Sequence, residues 1–154
     1  CLQMAQSYCS IANRGPAWKP HVLKGVRAKV GESFVSEYRP EKVFSVEESD
    51  TFREIVERGM WGVTYEESES QASHWTNMSI SVSSKTGTGE QIGPGRNICW
   101  FGCFAPSENP KYVVFSNVDG GDWGATTAML VVRDTLGAIY GEPDNSDAVY
   151  AAGD

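Results

Sequence analysis

The sequence has no excess of basic charge, no long apolar run and no paired-cysteine spacing, and each absence removes a class of protein. Its formal charge is -7 over 154 residues, whereas proteins that bind nucleic acids or other polyanions present basic surfaces. No apolar stretch is long enough to cross a bilayer. Cys1, Cys9, Cys99 and Cys103 make no Cys-x-x-Cys, and neither His21 nor His74 has a cysteine or carboxylate at ligand spacing. No metal site and no cofactor is therefore expected. Cys99 and Cys103 fall in one strand pattern, roughly 13 Å apart at the usual rise, too far for a disulfide. They read as buried thiols acting as small hydrophobes.

What is present reads as globular: 40% of residues are hydrophobic and 11% aromatic. "CLQMAQSYCSIANRG" has helical spacing at Cys1, Ala5, Tyr8 and Ala12, with Gly15 as the C′ residue. The pattern starts at once, and a fragment of a longer protein is expected. Val22, Val26 and Val30 suit extended structure, and strand-like pieces broken by Gly31 and Pro40 follow. "EESDTFREIVERGMWGV" predicts a helix capped by Ser49 or Asp50, with Thr51 and Glu54 as a capping box and Phe52, Ile55, Val56 and Met60 on one face. "TYEESESQASHWTNMS" reads as a polar loop, with Trp75 as its packed anchor.

From Ile80 to Thr88 the chain alternates with period two. "ICWFGCFAP" and "KYVVFSNV" give two further strands joined by "SENP", so an antiparallel meander is expected. Trp100 and Phe101 read as sheet-face packing. Asp122 is placed to cap a last helix with Ala125, Met129, Val132, Leu136 and Tyr140 in one stripe. Residues 142–154 read as an acidic, flexible tail. The fold class is α+β, an antiparallel sheet flanked by helices.

The chemistry concentrates in Lys85-Thr86-Gly87-Thr88 at the end of a strand. A lysine and a glycine face one side there and two threonines the other. Glycine inside a strand costs stability and marks the close approach of another backbone. An ammonium beside hydroxyls suits a carboxylate, and an extended peptide can pair along such an edge. A Lys-[Ser/Thr]-Gly triplet arises by chance in roughly one chain in ten of this length, so the triplet alone carries little. A phosphate loop is excluded by order, because the lysine precedes the glycines, and Gly-x-Gly-x-x-Gly from Gly87 fails at Ile92.

Taken together, the residues resemble the C-terminal half of the transpeptidase domain of penicillin-binding proteins. "LQMAQSYCSIANRG", "KPHVLKGV", "FREIVERGMWGVT", "SSKTGTGEQ", "WFGCFAPSENPKYVVFSNVD" and "GGDWGATTAMLVVRDTL" are similar to the family's segments in the same order. The resemblance covers residues 1–141 and implies the penicillin-binding and serine β-lactamase-like fold. Of the family's motifs Ser-x-x-Lys, Ser-x-Asn and Lys-Thr-Gly, the sequence holds the third. No lysine ends a Ser-x-x-Lys, and the one Ser-x-Asn, Ser107-Glu108-Asn109, falls after the Lys-Thr-Gly strand and reads as a turn former.

The resemblance implies a peptidoglycan D,D-transpeptidase at the extracytoplasmic face of a bacterial membrane, with stem peptide and β-lactams as ligands. Within it, Lys85 sets the positive potential and Thr86 and Thr88 hold the terminal carboxylate. Gly87 lets the peptide lie close, and the Thr88 N–H is one oxyanion donor. Lys85 and Thr88 are thus the implied catalytic residues, and Lys85, Thr86, Gly87 and Thr88 the substrate-binding ones. The chain alone is expected to be inactive, to need the missing N-terminal half of the domain, and to associate with itself in isolation. A β-lactam or muropeptide sensor domain, a D,D-carboxypeptidase and a β-lactamase share the same wall and are the alternatives.

Overall fold

The computed structural model describes residues 1–47, 49–90 and 97–142. The acidic tail from Pro143 onward lies outside them. Helix α1 (Leu2–Ala12) ends in a Schellman motif: Gly15 N–H donates to Ser10 O at 2.9 Å and Arg14 N–H to Ile11 O at 3.0 Å. The C′ position is therefore Arg14, at φ 56°, and the expected C′ residue Gly15 stands one place later, at φ 125°. Glycine is needed at 15 because a Cβ there would also sit 2.6 Å from Val46 O.

Two small antiparallel pairs follow. Strand β1 (Pro16–Trp18) pairs with β4 (Lys42–Ser45), and β2 (Gly25–Arg27) with β3 (Phe34–Glu37). Val26 lies in β2, but Val22 and Val30 stand outside the strands and are fully exposed. The β2–β3 ribbon buries no residue fully, so the valine spacing there is not set by packing on a second layer.

Ser49 caps helix α2 (Asp50–Glu54), its Oγ accepting from Phe52 N–H at 3.1 Å. Thr51 is already inside the helix, so the expected Thr51–Glu54 capping box does not form. The helix widens into a π-helical segment, Ile55–Met60, before returning to α-geometry in α3 (Trp61–Tyr65). The wider turn rotates Ile55 into solvent and leaves Phe52, Val56 and Met60 half-buried. The expected polar loop contains a further helix, α4 (Glu69–Ser73), capped by Ser68.

The main sheet is the expected meander, β5 (Ser83–Gly89), β6 (Asn97–Ala105) and β7 (Tyr112–Gly121), in the order β5-β6-β7. Beyond it a second π-helical segment, Gly124–Ala128, leads into α5 (Met129–Tyr140), closed by Gly141 in the left-handed region. Asp122 does not cap it. Trp123 occupies that position in extended backbone, and the Asp122 carbonyl accepts from Asn97 Nδ2 at 3.0 Å.

Between one face of the sheet and α5 lies the core: Trp75, Val82, Cys99, Phe101, Cys103 and Ala105 against Ala128, Met129, Val132 and Leu136. Trp75 stacks on Phe101 at 5.8 Å and 12°. The opposite face carries α1, where Tyr8 meets Phe115 edge-on at 5.4 Å. The protein is thus α+β, an antiparallel sheet between helices.

Candidate functional site

Among the described residues β5 pairs only with β6, so its other side is a free edge. Lys85 and Gly87 stand opposite Gly102 and Trp100, on the α1 face, while Ser84, Thr86 and Thr88 stand opposite Cys103, Phe101 and Cys99, on the α5 face. Lys85 is exposed, Thr86, Gly87 and Thr88 are half-buried, and Ser83 and Ser84 are buried. The side chains alternate as the sequence pattern requires.

Backbone direction follows from two observations. Gly87 N, Gly87 O and Trp100 O all lie within 3.0 Å of the point a Cβ on Gly124 would occupy, so Gly87 aims its amide groups across the ladder at Trp100. Thr86 and Thr88, one residue out of phase, aim theirs away from β6. In agreement, the Lys85 ammonium reaches round to donate to Thr86 O at 2.8 Å, with Thr86 Oγ1 at 3.4 Å. The free edge beyond Lys85 therefore presents a cation, the Thr86 hydroxyl and the outward backbone groups of Thr86 and Thr88, while the Thr88 hydroxyl, on the α5 face, accepts from Gly124 N–H at 3.2 Å. Such an array fits a carboxylate and an extended backbone.

Helix α3 covers the start of β5. The Thr64 hydroxyl meets Ser84 Oγ at 2.8 Å in a fully buried contact, and Val82 N–H donates to Tyr65 Oη at 3.1 Å. The turn between β6 and β7 holds the same end. Ser81 Oγ donates to Glu108 at 2.6 Å, Ser83 and Ser107 hydroxyls meet at 2.9 Å, and Ser107 N–H reaches Ser81 O at 3.1 Å. The Ser81 hydroxyl holds the Glu108 carboxyl below its usual range. Ser107-Glu108-Asn109 thus ties a turn to the strand. From the far side, buried Arg133 donates through Nε to His74 O at 2.9 Å, and Glu142 accepts from Ser79 N–H at 2.9 Å.

The candidate residues form an open wall rather than an enclosed pocket. A cavity of about 300 Å³ lies farther down the α1 face, beside Ser83, between Ile11, Phe52, Val56, Trp61 and Phe104. His21 stacks on Tyr38 at 3.5 Å, and His74 contributes its carbonyl to Arg133. Sequence reasoning missed Thr64, Ser84, Arg133 and Gly124. Only Gly124 carried a signal, a glycine just before a helical stripe, and it reads from sequence as no more than a break.

An antiparallel meander with helices on both faces is the α+β architecture of transpeptidase domains, and the comparisons place the chain among them. Residues 1–137 match the penicillin binding protein transpeptidase domain, and the chain belongs to that family. It is 32% identical over 126 residues to penicillin-binding protein PbpB of Mycolicibacterium smegmatis, a match covering 73% of this chain and 19% of that protein. Among solved structures it is similar to the D,D-transpeptidase domain of a peptidoglycan glycosyltransferase from Eggerthella lenta. There the TM-score is 0.71 and the identity 28%, over 91% of this chain and 32% of that one. Penicillin-binding protein A from M. tuberculosis, solved as an imipenem acyl-enzyme complex, shares the fold with a TM-score of 0.73 at 20% identity, over 90% of this chain and 30% of that one. The chain thus spans about a fifth of the length of the curated relative it matches and about a third of the solved ones.

Proposed function

We propose that this chain is the Lys-Thr-Gly wall of a peptidoglycan D,D-transpeptidase, and that the nucleophilic serine belongs to sequence outside it. The observation that carries the reading is the free edge of β5, where Lys85 and the outward groups of Thr86 and Thr88 converge. Gly87 supports it. A Cβ there would meet nothing closer than Trp100 Cβ at 3.4 Å, ordinary contact. The chain's own packing does not demand glycine at 87, and a ligand backbone lying against the strand does.

In this mechanism the stem peptide's terminal carboxylate, or that of a β-lactam, binds the Thr86 and Thr88 hydroxyls under the field of Lys85. The serine hydroxyl loses its proton as its oxygen attacks the carbonyl and bonds to the acyl carbon, and the C–N bond breaks as the leaving D-alanine or lactam nitrogen takes up a proton. The Thr88 N–H donates to the developing oxyanion, a contribution of about 3 kcal/mol for one such donor. The whole protein works at the extracytoplasmic face of the bacterial membrane. No helix among the described residues is long and apolar enough to cross a membrane, so anchoring falls to sequence outside this chain.

Labelled penicillin tests the reading. The 154-residue chain takes up no label. The longer protein that carries it with an upstream Ser-x-x-Lys takes up one label per molecule, and Lys85→Ala slows labelling by a hundredfold or more. Covalent labelling of the chain alone, or a Lys85→Ala protein that labels at the parent rate, contradicts it.

A further inference from the structure

Gly124 opens the second π-helical segment directly beneath the candidate strand. Any side chain there is blocked: a Cβ would fall 2.5 Å from both Gly87 O and Trp100 O and 3.0 Å from Gly87 N. Its own N–H donates to Thr88 Oγ1 at 3.2 Å. One residue therefore touches two adjacent members of the wall, the Gly87 backbone and the Thr88 hydroxyl. The contact is asymmetric. Gly124 presses on the α5 side of Gly87, while on the α1 side a Cβ would meet only Trp100, at an ordinary contact distance of 3.4 Å. The setting adds weight, since both π-helical segments of the described chain pack on β5, and π-turns recur where function fixes a backbone at some cost in regular geometry.

We propose that Gly124 is a positioning residue for the Lys85–Thr88 wall. Its absent side chain sets the height of Gly87 on the sheet. Its N–H occupies one lone pair of the Thr88 hydroxyl, which directs the hydroxyl proton away from Gly124 and leaves it for an acceptor at the free edge. The inference rests on the transpeptidase reading above and adds to it a residue outside the Lys-Thr-Gly motif. A plain helix cap is the competing account. It keeps the Gly124–Thr88 bond and denies any consequence for acylation.

The test uses the longer protein with Gly124→Ala, Thr88→Val and Thr88→Ser. Acylation by labelled penicillin is resolved into binding and limiting rate, and amide exchange is followed at Gly124. Gly124→Ala is expected to lower the limiting acylation rate tenfold or more. Thr88→Val is expected to speed exchange of the Gly124 amide about tenfold, and Thr88→Ser to restore both exchange and acylation to within threefold of the parent. A folded Gly124→Ala protein acylating within threefold of the parent overturns the proposal, and so does unchanged Gly124 exchange in Thr88→Val. Should Gly124→Ala fail to fold, a protein in which an ester oxygen replaces the Gly124 N–H, leaving Thr88 intact, decides: a limiting acylation rate lowered tenfold or more supports the proposal, and a rate within threefold of the parent overturns it. If the parent protein itself takes no label, the transpeptidase reading falls, while the exchange data still judge the coupling of Gly124 to Thr88.

Discussion

Cys103 stands on β6 between Phe101 and Ala105, facing α5, and burial pushes its thiol up to about 12. The thiolate is the reactive form, so iodoacetamide at pH 8 is expected to modify exposed Cys1 and to spare Cys103 until the protein is unfolded. Mass spectrometry of the alkylated peptides checks this, and native labelling of Cys103 at the rate of Cys1 contradicts it. Glu108 supplies a pH dependence. Its folded carboxyl lies below the usual range because Ser81 donates to it. The contribution to stability is therefore present above the unfolded value, near ~4.3, and is lost as pH falls through the lower folded value. Unfolding midpoints between pH 3 and 6 are expected to drop on the acid side, and less steeply in Ser81→Ala. Residues such as Cys103 and Lys85 were legible in the sequence because strand alternation fixes a face. Thr64 and Arg133 were not, since their partners, Ser84 and the carbonyl of His74, are 20 and 59 residues away.

Helix α3 and the loop after it determine where β5 can lie. Trp75 is buried and stacked on Phe101, whose cross-strand partner is Thr86. Trp75→Ala is expected to destabilise the protein by about 3–5 kcal/mol, read as a lower midpoint in urea. Thr64→Val leaves the buried Ser84 hydroxyl without its partner, and a loss of about 1–3 kcal/mol is expected. A Thr64→Val protein as stable as the parent contradicts the claim that α3 pins the strand. The meander was readable in advance, because period-two alternation and a short turn leave few topologies. The two π-helical segments were not. An extra residue per turn breaks the 3.6-residue spacing on which helical faces are read, and so Ile55 is assigned to the wrong side. The short helix α4 was hidden by its composition: five polar and small residues form it because Ser68 caps it and Gln71 reaches Val63 O.

For the molecule as a whole, the apolar surface is unevenly covered. Val22 and Val30 are fully exposed, Val35 is largely so, and the long strand β7 is the second edge of the sheet. Uncovered edges and apolar patches drive association, so the 154-residue chain is expected to self-associate with rising concentration in light scattering. A clean monomer at high concentration contradicts this. The fold was recoverable from the order of six short segments rather than from any one of them, whereas the height of Gly87 on the sheet depends on Gly124, which only the folded chain brings beneath it. The most direct test of the central claim is a crystal structure of the longer protein acylated by penicillin. The adduct's carboxylate is expected within hydrogen-bond distance of the Thr86 or Thr88 hydroxyl, and its amide paired along the free edge of β5. An adduct whose carboxylate contacts neither threonine, with that edge left empty, contradicts it.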